Sequence, residues 1–193
     1  DIAKEPALME FLNQFRNPGL FTRLLFVGIG TLLTIVVQSS SAAMSLTIVL
    51  CAQGLPIEIG AAMVLGENIG TTITAQLAAL IGNVHAKRSA KIHLMFNVFG
   101  VIWMVILLPY FLDMIHYIWP APSADDADKF TLAIFHTTFN MLNVMLMIWF
   151  VPQLVKLAIR MVTSKGDEDE AFNLTYIGAG AGAMTAEVSV VEA

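Results

Sequence analysis

The sequence predicts an all-α membrane protein with a re-entrant helical hairpin, a broken transmembrane helix and two further transmembrane helices. Three observations predict this fold. Of the 193 residues, 57% are hydrophobic and only 13% are charged, whereas soluble domains have about 25% charged residues. The charges leave several long charge-free stretches, and a spanning helix needs roughly 20 mostly apolar residues. Finally, polar and glycine-rich segments interrupt two of the apolar runs.

Residues 1–19 predict an amphipathic helix that lies in the membrane interface, with a soluble linker as the alternative. Its apolar residues recur at helical spacing: Leu8, Phe11, Leu12 and Phe15. Pro18 and Gly19 would end it. The chain begins with Asp1 rather than Met, so we expect the true N-terminus to lie upstream.

The re-entrant hairpin is predicted from the lengths of two apolar runs that flank Gln38-Ser39-Ser40-Ser41. One straight helix over 24–52 would be about 43 Å long, and residues 24–37 alone would reach roughly 21 Å. The hydrocarbon core is about 30 Å thick, so neither length fits. Neither mismatch arises if the chain enters the membrane, turns at the serines and returns to the same side. We therefore expect a break at 38–41.

The broken helix is predicted over residues 57–84, where Gly66-Glu67-Asn68-Ile69-Gly70-Thr71-Thr72 interrupts the apolar run. Two glycines, an acid and an amide predict an unwound centre near 66–71, which would expose carbonyl oxygens. Glu67 lies deep in an apolar run, which is typical of a functional residue. The alternative is a glycine hinge with a solvated acid at a short helix end.

Residues 92–118 and 130–151 predict the two further spans. The cations at 87–91 and at 156–165 are separated by these two spans, so we expect them on one side of the membrane. We assign that side to the cytoplasm, because cytoplasmic loops favour Lys and Arg. The acidic loop 120–128 is then outside, and the hairpin opens to the outside.

The hairpin tip and the glycine-rich segment carry the predicted chemistry. Three serine hydroxyls beside a helix N-terminus suit an anion, although a helix N-cap or a serine-rich helix contact is the simpler alternative. Asn and Thr oxygens beside unwound carbonyls suit a sodium ion. The two His-x-x-Phe-Asn elements, His93 to Asn97 and His136 to Asn140, together with Asn143, are interpreted as interhelical hydrogen-bonding groups.

Several function classes are excluded or disfavoured. The net charge is −5, which argues against nucleic acid as a partner. No nucleotide-binding motif or metal-site spacing is present, so we expect neither an enzyme nor a cofactor, apart from sodium as a coupling ion. The single cysteine, Cys51, is expected to be a small buried hydrophobe.

Taken together, Gln38-Ser39-Ser40-Ser41-Ala42 and the segment from Gly66 to Ala75 resemble the bacterial sodium/phosphate cotransporter family, relatives of the animal type II cotransporters. The segment from Phe172 to Glu187 is similar to the stretch that leads into a PhoU-like helical domain in bacterial members. The resemblance implies a transmembrane transport repeat over 20–160 and a cytoplasmic linker with the start of a PhoU-like region over 161–193.

The family resemblance also implies two inverted repeats, each with its own hairpin, and a site between the hairpins. One copy of each motif is present here, and it looks like the second repeat. We therefore expect the chain to be a fragment completed by a missing first repeat, or a half-unit that pairs with a second copy. The expected setting is a plasma membrane, such as the bacterial inner membrane.

The function expected from the residues and the resemblance is sodium-coupled transport of inorganic phosphate across the lipid bilayer. One alternative is sodium-coupled transport of another small anion, such as sulfate or a carboxylate. The other is a non-transporting membrane regulator that acts through the PhoU-like tail. The expected phosphate ligands are Ser39, Ser40, Ser41 and Thr71. The expected sodium ligands are Gln38, Asn68, Thr71 and Thr72.

Overall fold

The computed structural model describes residues 15, 18–121, 123 and 127–164, and helices dominate them. The helices are α1 Leu20–Val37, α2 Ser40–Ala52, α3 Ile57–Leu80, α4 Val84–Ile118, α5 Ala127–Met147 and α6 Val151–Met161, with a 3₁₀ turn at Ile148–Phe150 between the last two. No strand occurs within these ranges. The all-α prediction is confirmed.

Helices α1 and α2 form the predicted hairpin. Gln38 has left-handed backbone with φ of 55°, and Ser39 is extended and caps α2. Near the start of α1 and of α3, Arg23 forms an ion pair with Glu58. Later in both helices, the Thr31 hydroxyl donates to the Gly66 carbonyl at 3.0 Å, so α1 and α3 run in parallel. Helix α2 returns antiparallel to α3, because its residue Thr47 contacts Glu67, whereas the later Cys51 lies against Gly60. The break covers residues 38–39, which is narrower than predicted.

The predicted break in the helix over 57–84 is wrong, because α3 is continuous from Ile57 to Leu80. Its 24 residues give a length of about 36 Å. A Cβ atom on Gly66 would collide with backbone atoms of Val27 and Thr31 in α1, and one on Gly70 would lie 2.6 Å from the Thr34 side chain. The glycines therefore allow close approach of two helices and do not unwind the chain.

Helices α4, α5 and α6 form the second part of the described fold. Helix α4 begins at Val84, earlier than predicted, so it contains the cations at 87–91. The rings of Phe111 and Phe135 pack edge to face, with centroids 5.8 Å apart. At the other end, Arg88 donates to the Val162 carbonyl over 3.0 Å. The start of α4 and the end of α6 therefore lie at the same end, as the charge pattern predicted.

Three helical segments of the described chain are long and apolar enough to cross a membrane: α1, α4 and the stretch Ala127–Met161. Their outer faces expose large apolar side chains, such as Ile102, Tyr110 and Trp149. Helix α3 lies at the centre and contacts α1, α2, α4 and α5. The 13-residue α2 is too short to cross a core of about 30 Å, which agrees with a chain that turns back.

Some predictions fall outside the described residues. In the N-terminal segment only Phe15, Pro18 and Gly19 are described, and the Phe15 ring packs edge to face against Phe26 at 5.1 Å. The interfacial helix over 1–19 therefore stays a prediction. The same holds for the region beyond residue 164, which includes the PhoU-like start.

Candidate functional site

The hairpin tip places three serines at the beginning of α2. The Ser39 hydroxyl accepts a hydrogen bond from the Ala42 N–H at 3.3 Å, so this serine is an N-cap. Ser40 and Ser41 occupy the first turn, where backbone N–H groups have no partner within the helix and carry partial positive charge. No hydrogen bond among the described residues uses the hydroxyl of Ser40 or Ser41. These groups are donors available to an anion.

A small cavity of about 180 Å³, here named the tip cavity, lies between the hairpin turn and α3. Its lining is polar hydroxyls and an amide together with one glycine: Thr34, Gln38, Ser39, Ser40, Gly70, Thr71 and Thr74. The close contact of α1 with α3 at Gly70 brings the turn beside these threonines. The structure thus joins the two motifs that the sequence separates by about thirty residues.

A second cavity of about 410 Å³, here named the central cavity, lies among α2, α3 and α5. It is lined by Ser40, Ser41, Met44, Glu67, Asn68, Thr71 and His136. Ser40 and Thr71 line both cavities. A ligand in one cavity and a ligand in the other would therefore share two side chains.

The oxygens on α3 are oriented by hydrogen bonds within their own helix. The Thr71 hydroxyl donates to the Asn68 carbonyl at 2.7 Å, and the Asn68 amide donates to the Val64 carbonyl at 3.2 Å. The Thr71 hydroxyl hydrogen and one of the two Asn68 amide hydrogens are thus used within α3, and the Thr71 hydroxyl oxygen and the Asn68 amide oxygen remain as acceptors. Acceptors suit a cation. Thr71 would have to turn its hydroxyl to donate to phosphate.

The predicted sodium ligands are not all brought together. Asn68 and Thr71 line the central cavity, whereas Gln38 and Thr71 line the tip cavity. Thr72 is fully buried, donates its hydroxyl to the Ile69 carbonyl at 2.7 Å and lines neither cavity. The phosphate set is better grouped, since Ser39, Ser40 and Thr71 all line the tip cavity, while Ser41 faces the central one.

Sequence reasoning left four polar or charged lining residues out of the predicted ligand sets: Thr34, Thr74, Glu67 and His136. Thr34 precedes Gln38 by four positions and Thr74 follows Thr71 by three, so helical spacing alone places them beside predicted ligands. The position of Glu67 deep in an apolar run indicates a functional residue but does not indicate which ligand it serves. His136 comes from α5, and no local pattern indicates that it faces α2 and α3.

The interhelical interpretation of the asparagines is confirmed for Asn143 only. It donates to the Phe96 carbonyl and accepts from the Trp103 indole, each at 3.3 Å. The Asn143 amide fits there because Gly100 has no side chain. The amides of Asn97 and Asn140 instead donate to carbonyls of their own helices. Cys51 is buried, as expected.

Comparison with known proteins identifies the class of this membrane protein. Residues 5–117 match the model of a family described as Na+/Pi-cotransporter, and the chain therefore belongs to this family. The resemblance drawn from the two motifs is confirmed.

Among particular relatives, the chain is 36% identical over 136 residues to YqeW of Bacillus subtilis (strain 168), described as an uncharacterized protein. The matched part is 69% of this chain and 41% of that protein. The chain thus spans about two fifths of the length of the curated relative that it matches. No solved structure matches the chain.

Proposed function

We propose that this chain supplies one half of the site of a sodium-coupled phosphate transporter, a secondary symporter in the cell membrane. The single observation that carries the proposal is the tip cavity. There the serines at the N-terminus of α2 meet the threonines of α3. Anion donors and cation acceptors thus lie within one small polar space.

The chemistry of phosphate supports the serines as its ligands. Phosphate at neutral pH offers acceptor oxygens on every side, and an unpaired lysine at membrane depth is costly. No Lys or Arg of the described chain lines either cavity. Neutral donors at Ser39, Ser40 and Ser41, together with bound sodium, therefore have to balance the anion. The proposed sodium ligands are Asn68 and Thr71 in the central cavity, and Gln38 together with Thr71 in the tip cavity. Thr72 is left out because it lines neither cavity.

The exposure of the tip supports the idea that another segment completes the site. Gln38, Ser39 and Ser40 are all exposed in the described chain. Irregular backbone at membrane depth is stable only against protein or a water-filled cavity. We propose that a first repeat, or a second copy of the chain, faces this tip.

The test is phosphate uptake into proteoliposomes with the full-length protein and an imposed sodium gradient. Ser40→Ala removes a donor to a charged ligand, which is worth about 1.5–3 kcal/mol, so phosphate affinity should fall about 10- to 100-fold. Ser45→Ala is the matched control, since Ser45 lies on the same helix, donates to the Ser41 carbonyl and lines neither cavity.

The outcomes separate the alternatives. Sodium-driven uptake of sulfate or a carboxylate in place of phosphate would identify a different anion. No uptake of any of these anions would favour the regulator. Unchanged phosphate affinity in alanine variants of Ser39, Ser40 and Ser41 alike would mean that the serines only pack.

A further inference from the structure

Glu67 is a buried acid that forms no ion pair with any of the described residues. Its side chain is 3% exposed and lines the central cavity. Its described hydrogen-bond partner is the neutral Thr47 hydroxyl, which donates to Oε1 at 2.7 Å. By contrast, Glu58 in the first turn of the same helix forms an ion pair with Arg23. Glu67 therefore lacks the arginine that Glu58 has.

An ionised carboxylate in such a place is costly unless a positive charge compensates it. The other titratable side chain of the central cavity is His136 on α5, and no ion pair within 4 Å joins it to Glu67. The compensating charge must therefore come from a bound cation or a proton. The surroundings favour a cation, because Glu67 and Thr71 are four positions apart on one helical face and Asn68 lies beside them.

We propose that Glu67 is the charged ligand of a sodium ion in the central cavity, with the Asn68 amide oxygen and the Thr71 hydroxyl oxygen as neutral ligands. Sodium is a hard cation that prefers such oxygens. This inference rests on the proposed function and deepens it, since it places one sodium ion in the cavity next to the proposed phosphate position.

The shared lining explains how the two ligands are coupled. Ser40 and Thr71 face both cavities, so a phosphate in the tip cavity lies one side chain away from the central cavity. With Glu67 ionised and sodium absent, phosphate meets a like charge. Once sodium binds, the negative charge is neutralised and the anion is accepted. Bound sodium therefore raises the affinity for phosphate, and bound phosphate raises the affinity for sodium by the same factor.

The experiment compares Glu67→Gln with wild-type full-length protein in nanodiscs. Radiolabelled sodium binding is measured without phosphate, and radiolabelled phosphate binding is measured at graded sodium concentrations. Gln has the same shape and keeps the acceptor for Thr47. We expect sodium affinity to fall about 10- to 100-fold, and phosphate binding to depend on one sodium ion fewer. Glu67→Asp, which keeps the charge, should restore part of the sodium affinity.

Glu58→Gln is the matched control, because Glu58 lies on the same helix but lines neither cavity, and it should leave sodium affinity unchanged. Equal sodium affinity in Glu67→Gln and wild type overturns the inference, and the proposed function stands if wild type still shows sodium-driven phosphate uptake. Absence of that uptake in wild type refutes the proposed function instead. In that case the comparison of sodium affinity between Glu67→Gln and wild type still decides whether Glu67 binds sodium. If acid replaces sodium in supporting phosphate binding by wild type but not by Glu67→Gln, the residue takes up a proton and the sodium site is refuted.

Discussion

Two polar interruptions of apolar sequence behave in opposite ways in this protein. At 38–39 the helix ends and a new one begins, whereas at 66–72 a segment with two glycines remains helical. Both segments contain small and polar residues, and sequence alone predicts a break in each. The difference comes from what surrounds them.

The hairpin break is stabilised locally. Gln38 adopts a left-handed conformation and its N–H bonds to the Thr34 carbonyl at 2.7 Å, while Ser39 caps the next helix. The glycines of α3 instead face the backbone of α1. An unwound segment there would lose that contact and leave peptide groups unpaired in an apolar bundle. Glycine in a helix thus indicates close helix packing where the backbone of a second helix lies against it.

The largest expected effect follows from this contact. Gly66→Ala places a methyl group against the Val27 carbonyl, and overpacking of this kind costs about 1–3 kcal/mol. The measurement is the midpoint of thermal unfolding in detergent. Gly28→Ala is the control, because a Cβ there meets nothing within 4 Å and alanine favours the helix by up to about 1 kcal/mol. Equal midpoints for the two variants would mean that α1 and α3 are not tightly packed.

The next effect concerns sodium. If side-chain oxygens of an intact α3 bind the ion, Asn68→Ala should raise the sodium concentration for half-maximal transport about tenfold, a loss of about 1.4 kcal/mol. Thr72→Val should leave it unchanged, because Thr72 lies outside both cavities. A change in phosphate affinity alone for Asn68→Ala would contradict the assignment. A similar loss in Thr72→Val would require α3 to open, as the sequence first indicated.

The sequence was sufficient for the hairpin because its evidence is local. Chain length against bilayer thickness, and the capping chemistry of Ser39, both act within a few residues. It was insufficient for α3, because the role of Gly66 depends on Val27 and Thr31 in another helix. The same reason explains His136, which reaches the central cavity only through the packing of α5. The serine ligands were predictable because they lie in one short segment. The predicted sodium ligands lie on different helix faces: Thr71 lines both cavities, whereas its neighbour Thr72 lines neither.

A smaller effect tests the capping role of Ser39 apart from phosphate binding. Ser39→Ala removes the hydroxyl that accepts from Ala42, which should lower the free energy of unfolding by about 1 kcal/mol without phosphate present. Ser39→Asp keeps an acceptor of similar capping strength, so stability should be retained. It also adds a negative charge to the tip cavity, so phosphate binding should be lost. If Ser39→Asp bound phosphate as wild type does, the tip cavity would not be the anion site.

The smallest effect concerns Gln38, whose φ of 55° costs a side-chain-bearing residue roughly 1–2 kcal/mol relative to a right-handed conformation. Glycine avoids most of this cost, although it gives the unfolded chain more freedom. Gln38→Gly should therefore raise the free energy of unfolding by only about 0.5 kcal/mol. The same substitution should weaken sodium binding, because it removes the amide oxygen from the tip cavity. Gln53→Gly is the control, since Gln53 is the C-cap residue after α2 with φ of −92° and glycine there has only the entropic cost. Higher stability with weaker sodium binding means that the left-handed turn is retained for its side chain. Lower stability in both variants would show that the turn is not strained, and the break would then depend on Ser39 alone.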